Sequence, residues 1–279
     1  MAREVVMQLG VCSWSLCPVG PEDLIEKVAA TELCAVQLAL DPIRTDWGQG
    51  AIDQIRDAGI EVLSAMMMME AEDYSTLESI RITGGVRPDD SWERNLECAA
   101  QNARIAAAAG IGLVSFHAGF IPHDSDDPER AKMIDRLASF SRVFNEEGCR
   151  VALETGQESA QTLLSVLDAL CMPDVGVNFD PANMILYGMG DPVAALDQLA
   201  PHVFQLHVKD ALPPANPQEW GSEEPVGAGA VDWPAFFQVL RDREIKADLV
   251  IEREAGSQRV EDVIRARQLI EEHCQETNG

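Results

Sequence analysis

Apolar residues along this chain gather into short, nearly continuous runs, and each run is followed by a longer stretch whose apolar positions recur at a helical spacing. The runs are VVMQLGVCSW (5–14), CAVQLAL (34–40), IEVLSAMMMM (60–69), IGLVSFHAG (111–119), CRVALET (149–155), VGVNFD (175–180), VFQLHVKD (203–210) and ADLVIER (247–253). Runs without polar alternation predict strands covered on both faces, as in a parallel sheet. The intervening stretches carry helix punctuation. Pro21 precedes EDLIEKVAA, Gly59 stops the helix around AIDQIRDA, and Gly110 stops SWERNLECAAQNARIAAAA. Asp127 and Pro128 open DPERAKMIDRLASFSRVFNEE, which Gly148 closes. The remaining predicted helices are QESAQTLLSVLDAL, DPVAALDQLA, WPAFFQVLRD and RVEDVIRARQLIEEHC. Strand and helix alternate eight times with no linker or break in composition. The pattern predicts one α/β domain over residues 1–279, a (β/α)8 TIM barrel. An open doubly wound sheet is the other architecture for such a pattern, but no G-x-G-x-x-G follows the first strand. Two connections, 70–90 and 211–231, are too long for plain linkers and are expected over the barrel's C-terminal mouth.

Four strands end abruptly in titratable side chains. Glu154, Asp180, His207 and Glu252 close the fifth to eighth runs, and in a barrel the C-terminal strand ends surround the active site. Three carboxylates and one imidazole aimed at one point suit a single divalent ion, Mn²⁺, Mg²⁺ or Co²⁺ better than a thiolate-rich zinc site, though Zn²⁺ itself fits such ligands too. Any one acid at a strand end is commonly an ion-pair or capping residue. The register of all four is what carries the reading. Glu154 and Glu252 lie three strands apart, so a substrate between them has a carboxylate on each face. That suits removal of a proton beside a carbonyl and its return by a second acid–base group, through a metal-stabilised enediolate. Ligation alone is the plainer role for the same two residues.

Composition narrows the partners. The chain has 279 residues, 46% hydrophobic and 24% charged, with a net charge of −26. Such a surface repels phosphate backbones and anionic membranes, so neither nucleic acid nor membrane is expected as a partner. The seven cysteines are odd in number and form no C-x-x-C pair, which fits a reducing compartment. With no signal-peptide pattern at the N-terminus and no run long enough to span a bilayer, a cytoplasmic location is expected. A homo-oligomer is compatible with the sequence, which does not fix it.

The motifs H-V-K-D (207–210), E-T-G (154–156), D-P-A-N (180–183) and I-E-R-E (251–254), with F-H-A-G-F-I-P (116–122) and V-G-A-G-A-V-D-W (226–233), resemble the xylose isomerase-like TIM-barrel superfamily. That resemblance spans nearly the whole chain. It implies that Glu154, Asp180, His207 and Glu252 bind one Mn²⁺ or similar ion and that both glutamates exchange the substrate proton. Two departures weaken any specific ketose assignment. Asn183 stands where ketose 3-epimerases place a substrate-contacting histidine, and Ala228 separates Gly227 from Gly229 where many relatives have glutamate. His117 is expected either to touch substrate or to cap its strand. Lys209 would bind a substrate oxygen or neutralise Asp210 and Glu252. Trp14 and Phe116 would form an apolar wall under a sugar ring or pack in the core. Arg253 should face away from the interior.

These readings place first a divalent-metal-dependent isomerase or epimerase of a sugar or related carbonyl-polyol. A dehydratase of an inosose or similar keto-polyol uses the same metal and base. A phosphodiesterase needs more histidines than the five present, and a non-catalytic sugar-binding barrel is the remaining alternative.

Overall fold

Long apolar runs become strands here because neither of their faces meets water. The computed structural model describes residues 7–216 and 219–275. Strands β1 (Leu9–Cys12), β2 (Ala35–Ala39), β3 (Glu61–Met66), β4 (Leu113–His117), β5 (Arg150–Glu154), β6 (Val175–Phe179) and β7 (Val203–Val208) precede a hairpin of β8 (Asp210–Leu212) and β9 (Ser222–Glu224), and β10 (Asp248–Ile251) comes last. All strands but β8 and β9 pair in parallel and close in the order β1-β10-β7-β6-β5-β4-β3-β2, the barrel the pattern predicts. Val5 and Val6 of the predicted first strand lie outside the described residues.

Alternation along each strand decides what faces the interior. On β4, Phe116 points outward and packs against Phe140 of the helix Pro128–Glu146, with ring centroids 4.6 Å apart. It is fully buried in the core, so the expectation that it walls the substrate gives way to packing. Its neighbours Ser115 and His117 therefore face inward. Leu206 and Val208 alternate in the same way with Gln205 and His207 on β7, and all four are buried. Each fully buried Leu, Val or Phe contributes roughly 1.5–3 kcal/mol of apolar burial, and the outward side chains spend it against the surrounding helices.

The structure revises several boundaries. The seventh run ends as strand at Val208, and Asp210 begins the hairpin, so 211–231 contains an antiparallel ribbon where a loop was expected. The 70–90 connection holds a helix, Leu77–Thr83, capped by the Thr76 side chain. A further helix, Pro181–Tyr187, follows β6 directly, ahead of Pro192–Leu199. The helix expected from Gln157 starts at Ala160, because Ser159 caps it. No helix of the described residues is long and apolar enough to cross a membrane.

Candidate active site

Glu154 is the last residue of β5, Asp180 and Glu252 each follow the last residue of their strands, and His207 lies on β7. All four are buried. One potential ligand atom from each lies within 4.8 Å of all the others. His207 Nδ1 is 3.5 Å from Glu154 Oε1, 3.5 Å from Asp180 Oδ2 and 3.3 Å from Glu252 Oε2. Four strand ends deliver these groups to one point, as the register predicts.

Local sequence explains how each is held. In E-T-G, Thr155 Oγ1 accepts from the Asp180 N–H at 2.8 Å and donates to the Asp180 carbonyl at 3.0 Å, pinning the two strand ends together. Gly156 has φ +139, and a Cβ there would stand 2.4 Å from Asn183 Cβ. Asp180 caps the helix Pro181–Tyr187 through Oδ1, which accepts the Asn183 N–H at 2.9 Å. Asn183 Nδ2 donates to Glu154 Oε1 at 2.9 Å, and Asn178 Nδ2 to Glu154 Oε2 at 3.4 Å. Trp14 Nε1 donates to Glu252 Oε1 at 2.8 Å, so this residue orients a carboxylate as well as lining the mouth. His117 Nε2 is 3.6 Å from Glu154 Oε1.

Lys209 is an ion-pair residue, with Glu252 a partner as expected and Glu254 in the place expected of Asp210. Nζ lies 2.9 Å from Glu252 Oε2 and 2.5 Å from Glu254 Oε2, and donates to Asn183 Oδ1 at 3.3 Å. Asp210 turns away from it. Its carboxylate instead accepts the N–H groups of Ala211, Gly227, Gly229 and Val231 and the Trp233 indole N–H. Arg253 pairs with Glu223 and Asp262, in keeping with its turn away from the interior.

Electrostatics follow from that packing. Burial works against the charged Lys209 ammonium, yet Glu252, Glu254 and Asp180 more than offset it and hold its pKa well above the usual lysine range. Burial would also raise Glu252, but Lys209 and His207 keep its carboxyl well below the ordinary value. For Asp180 burial wins over Lys209 and His207, and its carboxyl is pushed up. For His207 burial is outweighed by Cys12, Glu252 and Glu154.

The residues fit a divalent ion. Asp180 Oδ2 and His207 Nδ1 are buried and have no hydrogen-bond partner, while the atoms beside them are fully engaged. Buried polar atoms are ordinarily satisfied, and leaving charged ones unpaired costs several kcal/mol. One acceptor and one ring nitrogen, without hydrogen bonds and 3.5 Å apart, mark a place for a cation held by Glu154, Asp180, His207 and Glu252, with hard oxygen donors predominating.

A cavity of about 740 Å³ opens above these groups. Trp14, Met66, Met68, Tyr74, Leu186, Tyr187 and Trp220 form its apolar walls, and Asp41, Glu223, Glu252 and Glu254 its acidic ones. Tyr74 comes from the 70–90 connection and Trp220 from the hairpin, so both long connections reach the mouth. Several of these residues escape the sequence reading. Glu254 had a usable signal, since it lies two positions after Glu252 on the same face. Tyr187 and Trp220, whose ring centroids are 5.1 Å apart, had none, because their approach depends on the hairpin.

A family model described as a xylose isomerase-like TIM barrel matches residues 25–273. No curated protein matches the chain by sequence. Among solved structures, a xylose isomerase domain protein from Planctomyces limnophilus is 29% identical, with 90% of this chain and 92% of that one covered and a TM-score of 0.85. An L-ribulose 3-epimerase shares 15% identity over 98% of this chain and 96% of its own, with a TM-score of 0.76. A xylose isomerase-like TIM barrel protein from Mycobacterium smegmatis, in complex with magnesium, shares 14% identity over 96% of each chain, with a TM-score of 0.71.

Proposed function

The chain belongs to the xylose isomerase-like TIM-barrel family, and from that premise we propose that it is a divalent-metal-dependent isomerase or epimerase acting on an uncharged sugar or related keto-polyol. The observation that carries this reading is the convergence of Glu154, Asp180, His207 and Glu252, with Asp180 Oδ2 and His207 Nδ1 left unpaired in the centre. Mn²⁺ is the ion we expect, and Mg²⁺, present in one structural neighbour, is compatible with the same donors. When bound, a divalent ion would polarise a substrate carbonyl and offset the negative charge that proton removal creates.

The chain's own residues do the rest. Glu252, fixed by Trp14 and Lys209, and Glu154, fixed by Asn183 and Asn178, are carboxylates whose orientation is set before substrate arrives. One removes the proton next to the carbonyl and the other returns a proton from the opposite side. The apolar walls cover a sugar's C–H face and keep water from the reacting carbon. Anionic substrates are disfavoured because the cations around the mouth are occupied. Lys209 is held by two glutamates and Arg253 by Glu223 and Asp262. Arg44 pairs with Asp41, and Arg259 donates to the carbonyls of Ser15, Arg253, Glu254 and Gly256.

His117 favours a second reading. It stands beside Glu154, with Nδ1 buried and unpartnered, where it could protonate a departing β-hydroxyl after the same proton abstraction. The protein would then be a dehydratase of an inosose or similar keto-polyol. One experiment separates the two. The Mn²⁺-loaded protein is incubated in D2O with ketoses, aldoses and inososes in turn, the substrates being read by NMR after the metal is removed. Deuterium incorporation with a rearranged sugar supports isomerase or epimerase, and loss of water supports the dehydratase. No exchange with any member of the three classes would overturn both.

A further inference from the structure

Barrel interiors are ordinarily filled by branched aliphatic side chains, but beneath the four candidate ligands this one is polar. Cys12, Gln37, Ser64, Ser115, Asn178 and Gln205 are all buried there. Their hydrogen bonds end on His207 and Glu154. We propose that Gln37 is a positioning residue that holds the His207 proton on Nε2 and thereby reserves Nδ1 for the metal. The proposal rests on the metal-site reading above.

The two nitrogens of His207 face opposite surroundings. Nδ1 looks at three carboxylates and has no hydrogen bond. Nε2 lies 2.7 Å from Gln37 Oε1. An amide carbonyl oxygen can only accept, so a contact that short requires a proton on Nε2.

The amide's orientation is set from outside the histidine. Gln37 Nε2 donates to Ser115 Oγ at 2.8 Å, and Gln37 Oε1 also receives the Cys12 thiol at 3.4 Å. A flipped amide would set NH2 against that thiol and aim a second NH2, beside that of Asn178, at the one lone pair Nε2 could offer. Asn178 Nδ2 is 3.0 Å from the same ring nitrogen, but it does not supply an acceptor. A chain of donors fixes it: Ser64 donates to Gln205, Gln205 to Asn178 Oδ1, and Asn178 Nδ2 to the Glu154 carboxylate.

A neutral imidazole carries one N–H. With that proton held at Nε2, the Nδ1 lone pair points at the oxygens of Glu154, Asp180 and Glu252. Lone pair and carboxylates repel one another unless a proton or a metal ion stands between them. The carbonyl below and the unpaired nitrogen above are thus two ends of one device. Outer hydrogen-bond partners of this type fix the ring and raise its basicity as a ligand.

The test uses the full chain labelled with [15N]histidine, with Mg²⁺ as a diamagnetic probe. Gln37→Met keeps the side chain's length and burial but offers only a weak thioether acceptor, whereas Gln37→Glu keeps a carbonyl-type acceptor. In the wild type, the Nε2–H signal of His207 should exchange slowly with water. In Gln37→Met that signal should broaden into fast exchange, and calorimetry should show Mg²⁺ binding weakened by roughly 10- to 100-fold. Gln37→Glu should restore both. Should Gln37→Met fail to fold, Ser115→Ala, which unpins the amide, should speed Nε2–H exchange, and unchanged exchange there overturns the proposal. It is also overturned if Gln37→Met binds Mg²⁺ like the wild type, or if Gln37→Glu loses as much as Gln37→Met, the pattern of packing alone. A wild type that holds the Nε2 proton yet binds no ion would sink the metal-site reading and leave Gln37's hold on that proton standing.

Discussion

A carboxylate can ligate, take a proton or do both, and at the residue scale its fixed partners separate these roles. Glu→Gln at position 154 or 252 keeps the shape and one carbonyl oxygen for the metal while removing the proton acceptor. Each variant should lose turnover by a factor of roughly 10²–10⁴, the usual contribution of a positioned base. Metal content by elemental analysis of the same samples is the control, since a lost ion mimics a lost base. Near-normal turnover with the ion retained would reduce that glutamate to a ligand. Glu158 poses a different question. It is buried before the helix Ala160–Leu170 with Oε1 unpartnered, and burial alone pushes its carboxyl from 4.5 up to about 8. The fold therefore prefers its protonated form. This contribution is intact below about pH 4.5 and is lost as pH rises toward 8, because the unfolded chain releases the proton and the folded one does not. Glu158→Gln removes the titration, so urea midpoints at pH 5, 6.5 and 8 should fall less steeply than in the wild type. Equal slopes in both chains would show that Glu158 is solvated or paired.

At the scale of elements, the hairpin and the connection after it hang on Asp210. Five donors converge on its carboxylate, four backbone N–H groups and the Trp233 indole. Asp210→Ala orphans them together and should destabilise the protein by about 3–5 kcal/mol in urea unfolding. Gly229→Ala should be comparably harmful, since its Cβ would lie 2.1 Å from Asp210 Oδ1. A loss under about 1 kcal/mol in both would mean the loop relaxes without its anchor. This anchor also marks where sequence reading stops. Glu154, Asp180, His207 and Glu252 are legible because each ends its own apolar run, and period-two alternation then aims them inward. Asp210 looks like another member of that set, but the chain turns at Lys209 into the hairpin and carries it out of the site. Gln37 is invisible for another reason. It reaches His207 from a strand three places away around the barrel and 170 residues earlier, so no local pattern connects them. The helix Pro181–Tyr187 spans 7 residues, too few for helical periodicity to stand out beside the D-P that opens it. Trp220 and Tyr187 meet only once that helix and the hairpin have formed.

At the scale of the whole molecule, three carboxylates crowd one buried point inside a chain of net charge −26. Both features oppose folding through like-charge repulsion, and a divalent cation relieves both. The two effects differ in how they saturate. Screening of the surface depends on ionic strength and any salt supplies it, whereas filling the site depends on one binding constant. An ion present at about 100 times its Kd stabilises the folded chain by about 2.7 kcal/mol. For a protein of this size that corresponds to a rise in Tm of roughly 5–10 °C. We therefore expect Mn²⁺ to raise Tm by that amount over NaCl of matched ionic strength, EDTA to reverse the rise, and Asp180→Ala and His207→Ala each to abolish it. Both variants cost the metal-free fold something, since Asp180→Ala loses the cap on the helix Pro181–Tyr187 and His207→Ala the bond to Gln37, so the quantity read is each variant's own response to the ion. A shift of equal size in matched NaCl, or one that survives in both variants, would assign the stabilisation to the acidic surface, and the buried cluster would then be no metal site.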